Sequence, residues 1–160
     1  MTKKFLVAIA FALTLFAACH NGDVYNEYIA LPDKGWGKDS LAVFRAEITD
    51  TAQYYDVWVQ MRHQSDYPYS NLWLFIDLVS PNGDQLRDTL ECFIARPDGS
   101  WYGAGWGSLY SVRCPYRLHN RFRLPGCYTF RLNQGMRNDA IEGLHSIGLQ
   151  ILPSEQDGEK

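Results

Sequence analysis

The sequence predicts an all-β fold: an antiparallel β-sandwich of jelly-roll type, with an immunoglobulin-like sandwich as the alternative. Three observations predict it. Apolar residues recur with a period of two, they do so in seven or eight short stretches, and residues with turn chemistry separate those stretches. No segment beyond the N-terminal region carries a strong 3.6-residue apolar stripe, so no amphipathic helix competes for the core.

The first stretch is of another kind. Lys3 and Lys4 precede an apolar run from Phe5 to Phe16, then Ala17-Ala18-Cys19. That run falls short of the roughly 20 residues a membrane-spanning helix needs, and its flanks are those of a cleaved export signal. Small residues leading into a cysteine are the pattern of a bacterial lipoprotein signal. Residues 1–18 are therefore read as the signal peptide and Cys19 as the lipidated first residue of the mature chain. Two or three acyl chains anchor far more stably than one, since each buried methylene adds about 0.8 kcal/mol. From Asn21 to Asp39 the chain is polar and turn-rich, with Pro32, Gly35 and Gly37. It reads as a tether, so residues 19–39 are assigned to a lipidated linker.

The strands follow within residues 40–153. Leu41 to Ile48 is the first. In Tyr55 to His63, Val57, Val59 and Met61 share one face, and Asp56, Gln60 and Arg62 share the other with Trp58. Asn71 to Ser80 places Leu72, Leu74, Ile76 and Leu78 on one side and Trp73, Phe75, Asp77 and Val79 on the other, which predicts a strand covered on both faces. Thr89 to Ala95 and Ser111 to Leu118 come next. Cys127 to Asn133 alternates most cleanly, with Tyr128, Phe130 and Leu132 against Thr129, Arg131 and Asn133. Ser146 to Leu152 presents Ile147, Leu149 and Ile151. Ser80-Pro81-Asn82-Gly83, Pro97-Asp98-Gly99 and Leu124-Pro125-Gly126 join a fixed φ to a residue tolerant of positive φ. Asn138 to Glu142 is the one stretch read as a helical turn, and residues 154–160 form a polar tail.

Charge and composition exclude several functions. Without residues 1–18, 13 Lys and Arg stand against 18 Asp and Glu, a net charge of −5. Nucleic acid is therefore not an expected partner. His20, His63, His119 and His145 are scattered, with no i, i+4 pair and no Cys-x-x-Cys, so no metal site is expected. No serine lies in a G-x-S-x-G elbow. The Gly103 to Ser108 run is not a dinucleotide loop, because the residues after it alternate as a strand and offer no helix N-terminus to a pyrophosphate. Glu47, Asp50, Asp84, Asp88 and Glu91 read as residues of solvated faces and turns. The expectation is a protein without catalytic residues or cofactors.

Three cysteines remain beyond Cys19. The strand phases turn Cys92 and Cys114 inward, making them the better disulfide pair in an oxidising compartment. Two unpaired buried thiols are an equal alternative.

The most distinctive interior stretch is Trp101-Tyr102-Gly103-Ala104-Gly105-Trp106-Gly107. Aromatics interleaved with glycine display flat apolar faces suited to a sugar ring or to a protein partner's apolar anchor. Alternatively, Trp101 and Trp106 fold back to cap the sandwich. A second aromatic turn, Tyr67-Pro68-Tyr69-Ser70-Asn71, extends the same surface if both loops lie at one end. Arg137, beside Met136, adds a charged donor.

The residues also carry a family resemblance. Tyr67 to Phe75, Asp88-Thr89-Leu90, Gly99 to Gly105, and Gln134-Gly135-Met136-Arg137 followed by Gly143-Leu144 and Ile147-Gly148-Leu149 resemble GldH, the gliding-motility lipoproteins of the Bacteroidetes. The resemblance spans most of the mature domain. It implies a lipid-anchored envelope protein, needed for surface motility in gliding relatives and associated with machinery that moves or secretes adhesins. It carries over no catalytic residue, and only the lipidation position maps, onto Cys19.

The expected function is a non-enzymatic interaction subunit of envelope machinery, held to a membrane by its N-terminal lipid and engaging another envelope protein. The alternative is a glycan-binding lipoprotein in which Tyr67, Tyr69, Trp101 or Trp106 stack on sugar rings. His20-Asn21-Gly22-Asp23 lacks a dense acidic patch, which favours the periplasmic side of the outer membrane.

Overall fold

A computed structural model describes residues 22–155. Cys19, the signal segment and the last five residues lie outside the described residues.

The strands are β1 (Tyr25–Ala30), β2 (Trp36–Gly37), β3 (Ala42–Ile48), β4 (Tyr55–Gln64), β5 (Asn71–Val79), β6 (Gln85–Phe93), β7 (Ala104–Trp106), β8 (Leu109–Asn120), β9 (Gly126–Gln134), β10 (Ala140–Ile141) and β11 (Leu144–Pro153). One sheet runs β1-β11-β4-β8-β7 and the other β3-β9-β5-β6, while β2 and β10 form a small separate pair. All pairings are antiparallel. Among the eight long strands, the first, eighth, third and sixth build one sheet and the second, seventh, fourth and fifth the other. That is the jelly-roll order.

The two-residue alternation of the sequence becomes the core. Val57, Val59 and Met61 of β4 and Ile147, Leu149 and Ile151 of β11 face Phe44, Leu74, Ile76, Phe130 and Leu132 of the opposite sheet, all of them buried. Each such side chain contributes about 1.5–3 kcal/mol when removed from water. Trp58, on the polar face of β4, is covered by the Arg113 guanidinium 4.1 Å from its ring centroid.

Two expectations change. The presumed tether contains β1, which pairs with β11 from Tyr25↔Ile151 to Ala30↔Ser146, and Trp36, whose indole is buried and donates to the Ser40 carbonyl at 2.9 Å. The sequence hid β1 because an edge strand is held by main-chain pairing. Only Tyr25 and Ile29 of its six residues turn partly inward, so it carries almost no apolar rhythm. Gly148 makes room for it, since a Cβ there would lie 2.8 Å from the Tyr28 ring. The stretch read as a helical turn is instead β10. Ile141 is buried opposite Trp36, and Gly143 at φ +78° then turns the chain into β11.

The register defines two ends. Tyr55 pairs with Pro153 and Asn120, and Tyr25 with Ile151. The start of β1 therefore shares one end with the loops 49–54, 80–84 and 121–125. The loops 65–70, 94–103 and 135–139 gather at the other.

Candidate interaction site

The far end is built around a histidine. His63 closes β4, is fully buried, and has its Nδ1 2.9 Å from the Gln64 carbonyl. That contact makes Nδ1 the protonated nitrogen and leaves Nε2 without a partner. Trp101 meets the imidazole edge-on at 4.7 Å, Tyr110 stacks on it at 5.5 Å and Tyr67 tilts against it at 5.7 Å. Desolvation lowers the His63 pKa. The neutral ring is an aromatic-lined post to which both loops attach.

Local chemistry shapes each loop. In 94–103, Asp98 accepts from the Ser100 amide and hydroxyl, and Arg96 donates to the Trp101 carbonyl at 2.8 Å while lying 4.5 Å over the Tyr102 ring. In 65–70, the Tyr67 hydroxyl donates to the Asn71 carbonyl at 3.0 Å, and the ring meets Tyr69 edge-on at 5.7 Å. In 135–139, buried Gln134 works as a clamp: its Oε1 accepts from the Met136 amide at 2.8 Å and its Nε2 donates to the Asn138 carbonyl at 2.9 Å. The Gly135 amide donates to the Trp73 carbonyl at 2.7 Å, and the Trp73 amide reaches Met136 Sδ at 3.4 Å. The loop thus lies directly over Trp73.

The expected residues are redistributed. Tyr69 and Arg137 line one groove of about 430 Å³ with Asn71, Trp73, Met136 and Asn138. Tyr69 and Trp101 line a neighbouring one with Pro68 and Arg96, so Tyr69 is the wall between them. Tyr67 is buried and serves as support. Tyr102 faces a third groove with Phe93. Trp106, 94 % exposed on the β7–β8 hairpin, stands apart from all three.

The sequence reading missed Trp73, Phe75 and Phe93. It predicted β5 covered on both faces, yet Trp73 and Phe75 are each 38 % exposed and Phe93, opposite Asn71, is 61 % exposed. Among the described residues no layer covers the outer face of this sheet, and strand periodicity alone does not say how many layers a fold has. Trp73 and Phe75, on one face of β5, carry the apolar surface from the groove onto the sheet, while Phe93 is set apart from Trp73 by the Asn71 amide, which donates to Glu91 at 2.6 Å.

Cys92 of β6 and Cys114 of β8 face each other between the sheets. Both are buried and stand as thiols in this structure, positioned as the inward strand phases require. The neighbouring Cys114 thiol and burial together push the Cys92 thiol up and keep it protonated.

Comparison with known proteins places the chain. The family model described as GldH lipoprotein matches residues 23–151. A gliding motility lipoprotein GldH homolog of Christiangramia forsetii is 32 % identical, with 97 % of this chain and 99 % of that protein covered. Gliding motility lipoprotein GldH of Flavobacterium johnsoniae is 29 % identical over 88 % of this chain and 91 % of its own length. Among solved structures, an insecticidal delta-endotoxin of Bacillus thuringiensis is similar at a TM-score of 0.41 and 12 % identity, over 72 % of this chain and 18 % of that one. That likeness is too loose to bear on function. The two relatives span nearly their whole lengths, and with the matching family model they show that the chain belongs to the GldH family of membrane-anchored cell-envelope lipoproteins.

Proposed function

We propose that this protein is a non-enzymatic subunit of envelope machinery of the gliding-motility type, anchored by lipid at Cys19 to the periplasmic face of the outer membrane. It engages another envelope protein through its far end. The observation that supports this reading is the groove of Tyr69, Asn71, Trp73, Met136, Arg137 and Asn138, which opens at the end of the sandwich remote from the N-terminus. β4, ten residues long, spans roughly 30 Å at 3.3 Å per residue, so the groove stands clear of the anchored end. The groove continues into exposed Phe75, whose ring lies beside Gly135 at the groove's edge, an apolar surface of the kind that marks association sites. Arg137 at its rim supplies orientation and partner choice. Confinement to one membrane raises the effective concentration of a co-anchored partner, so a modest interface suffices.

In cells, a photoreactive benzoyl-phenylalanine in place of Asn138, another residue of the groove, is expected to capture one defined envelope protein, and Trp73→Ala to abolish the capture. The same probe in place of Glu47, at the other end, is expected to capture nothing at that mass. Equal labelling from both positions sinks the proposal.

A second reading has its own support: Tyr69 and Trp73 flanked by Asn71, Asn138 and Arg137 combine apolar faces with amide and guanidinium donors, as saccharide sites do. A change in tryptophan emission on adding peptidoglycan fragments, lost in Trp73→Phe, would favour it over the protein partner.

A further inference from the structure

The end of the sandwich opposite the aromatic groove has a composition of its own. Val24, Tyr54, Leu118 and Leu124 are all exposed there, on four separate segments that the fold brings to one rim. Arg121 and Arg123 lie among them, both exposed.

The rim is held rigidly. Phe122, between the two arginines, is buried against Tyr55 at 5.6 Å and Tyr128 at 4.7 Å, so the residues on either side turn away from the core. The Tyr128 hydroxyl donates to the Leu124 carbonyl at 3.0 Å and accepts from its amide at 3.2 Å, fixing the turn that carries Leu124. Arg121 Nε donates to the Thr51 carbonyl at 2.8 Å and ties that turn to the loop before β4. Arg121, Arg123 and Thr51 frame a shallow depression of about 410 Å³. Tyr54 stacks on His119 at 4.0 Å with its ring at the surface. Asp50 and Asp84 share this end, but their carboxylates accept from the Ala52 amide and the Asn82 side chain within their own turns. Asp23, Glu47 and Asp56 lie near it as well, so this end is not cationic overall, and its attraction for phosphate is confined to the two exposed guanidinium groups.

Chain length says what this end faces. The Val24 amide already donates to the Ile151 carbonyl at 2.8 Å, so the sheet claims the chain from residue 24 onward. Five peptide steps separate Cys19 from Val24, and at no more than about 3.6 Å each they reach at most about 18 Å. A linker of residues 19–39 would have let the domain tumble far from its anchor. Five steps keep the start of β1 within about 18 Å of the surface in which the lipid sits.

We infer that this end of the sandwich docks on the phospholipid bilayer that holds the lipid anchor, with Arg121 and Arg123 on lipid phosphates and Val24, Tyr54, Leu118 and Leu124 at the headgroup boundary. The inference rests on the lipid attachment at Cys19 proposed above. Guanidinium groups match phosphate in charge and geometry, and a tyrosine with one apolar face and one hydroxyl suits the membrane–water boundary. Tethering makes each of these weak contacts intramolecular, so few are needed. Docking fixes the long axis of the sandwich and aims the aromatic groove away from the bilayer.

The test uses the full lipidated chain reconstituted in vesicles of phosphatidylethanolamine and phosphatidylglycerol. A nitroxide is placed by Leu124→Cys or, separately, Trp106→Cys, each in a Cys127→Ser background. The label at 124 is expected to lose collisional broadening by an aqueous nickel chelate and to gain it from oxygen, while the label at 106 remains fully open to nickel. Adding Arg121→Gln with Arg123→Gln is expected to return the label at 124 toward water. A chain that floats with the vesicles yet shows equal nickel access at 124 and 106 overturns the docking and leaves the anchor standing. A chain that takes up no labelled palmitate and does not float overturns both.

Discussion

Trp101 meets the buried His63 imidazole edge-on, with ring centroids 4.7 Å apart, and this contact fastens the 94–103 loop to the end of β4. Trp101 is half-buried, so Trp101→Ala is expected to cost about 2–3 kcal/mol, less than full deletion of a core tryptophan. Burial lowers the His63 pKa below its usual value, which sets a sign. The unfolded chain binds the proton more readily, so stability rises with pH between the folded and unfolded pKa values. It is fully present above about pH 6.5 and declines as the pH falls toward the folded pKa. Urea titrations across that range check this, and His63→Phe should remove the slope.

A second pH dependence comes from the opposite sheet edges. Asp88 of β6 accepts from Arg117 of β8 at 2.7 Å and from the Tyr116 hydroxyl at 2.6 Å, linking the two sheets. Burial opposes ionisation of Asp88, but the two hydrogen bonds and the Arg117 charge together outweigh it and hold the carboxyl below its usual range. The link therefore stabilises the fold above about pH 4 and is lost as pH falls through the folded pKa. Asp88→Asn is expected to cost about 1–2 kcal/mol, between the worth of an exposed and a buried pair, by denaturant unfolding at neutral pH.

Groove and fold are separable. Arg137→Glu lies on an exposed loop and should leave stability within about 0.5 kcal/mol of the parent, while partner capture through the groove is lost. Gln134→Ala removes both hydrogen bonds that shape the 135–139 loop. It should weaken capture without touching any groove side chain. Calorimetry beside crosslinking yield distinguishes the two.

The cysteines are expected to divide by burial. In protein folded under reducing conditions, Cys127 alone of the three described cysteines should react with iodoacetamide at neutral pH, because Cys92 and Cys114 are enclosed and Cys92 is held protonated. In protein matured in an oxidising envelope, the facing Cys92 and Cys114 thiols are expected to be joined. Alkylation after denaturation, without reductant, would then modify Cys127 only. Closing that loop would add about 3 kcal/mol.

The clean alternation of Tyr128, Phe130 and Leu132, and of Ile147, Leu149 and Ile151, was enough to place β9 and β11, because residues facing one core must recur every second position. β1 escaped the same logic: its stability comes from backbone pairing with β11, and backbone groups are identical in every residue. β10 was mistaken for a helical turn because two residues show no period at all. Of the expected site residues, Tyr69 and Arg137 share a groove and Tyr69 and Trp101 another, whereas Tyr67 is buried and Trp106 stands alone. Trp73 was legible as a strand residue but not as a groove wall, since its exposure depends on a third layer being absent.

The sequence by itself determined the chemical class of each described segment: short strands with one apolar face, and loops rich in aromatics. Those are properties of residues and their neighbours along the chain. Only the tertiary structure decided that residues 25–30 join a sheet as β1, that the arginine rim and the aromatic groove occupy opposite ends, and that Asn71, Trp73 and Arg137 line one groove. These are distances between residues far apart in the chain, and they exist only once the two sheets have chosen their register.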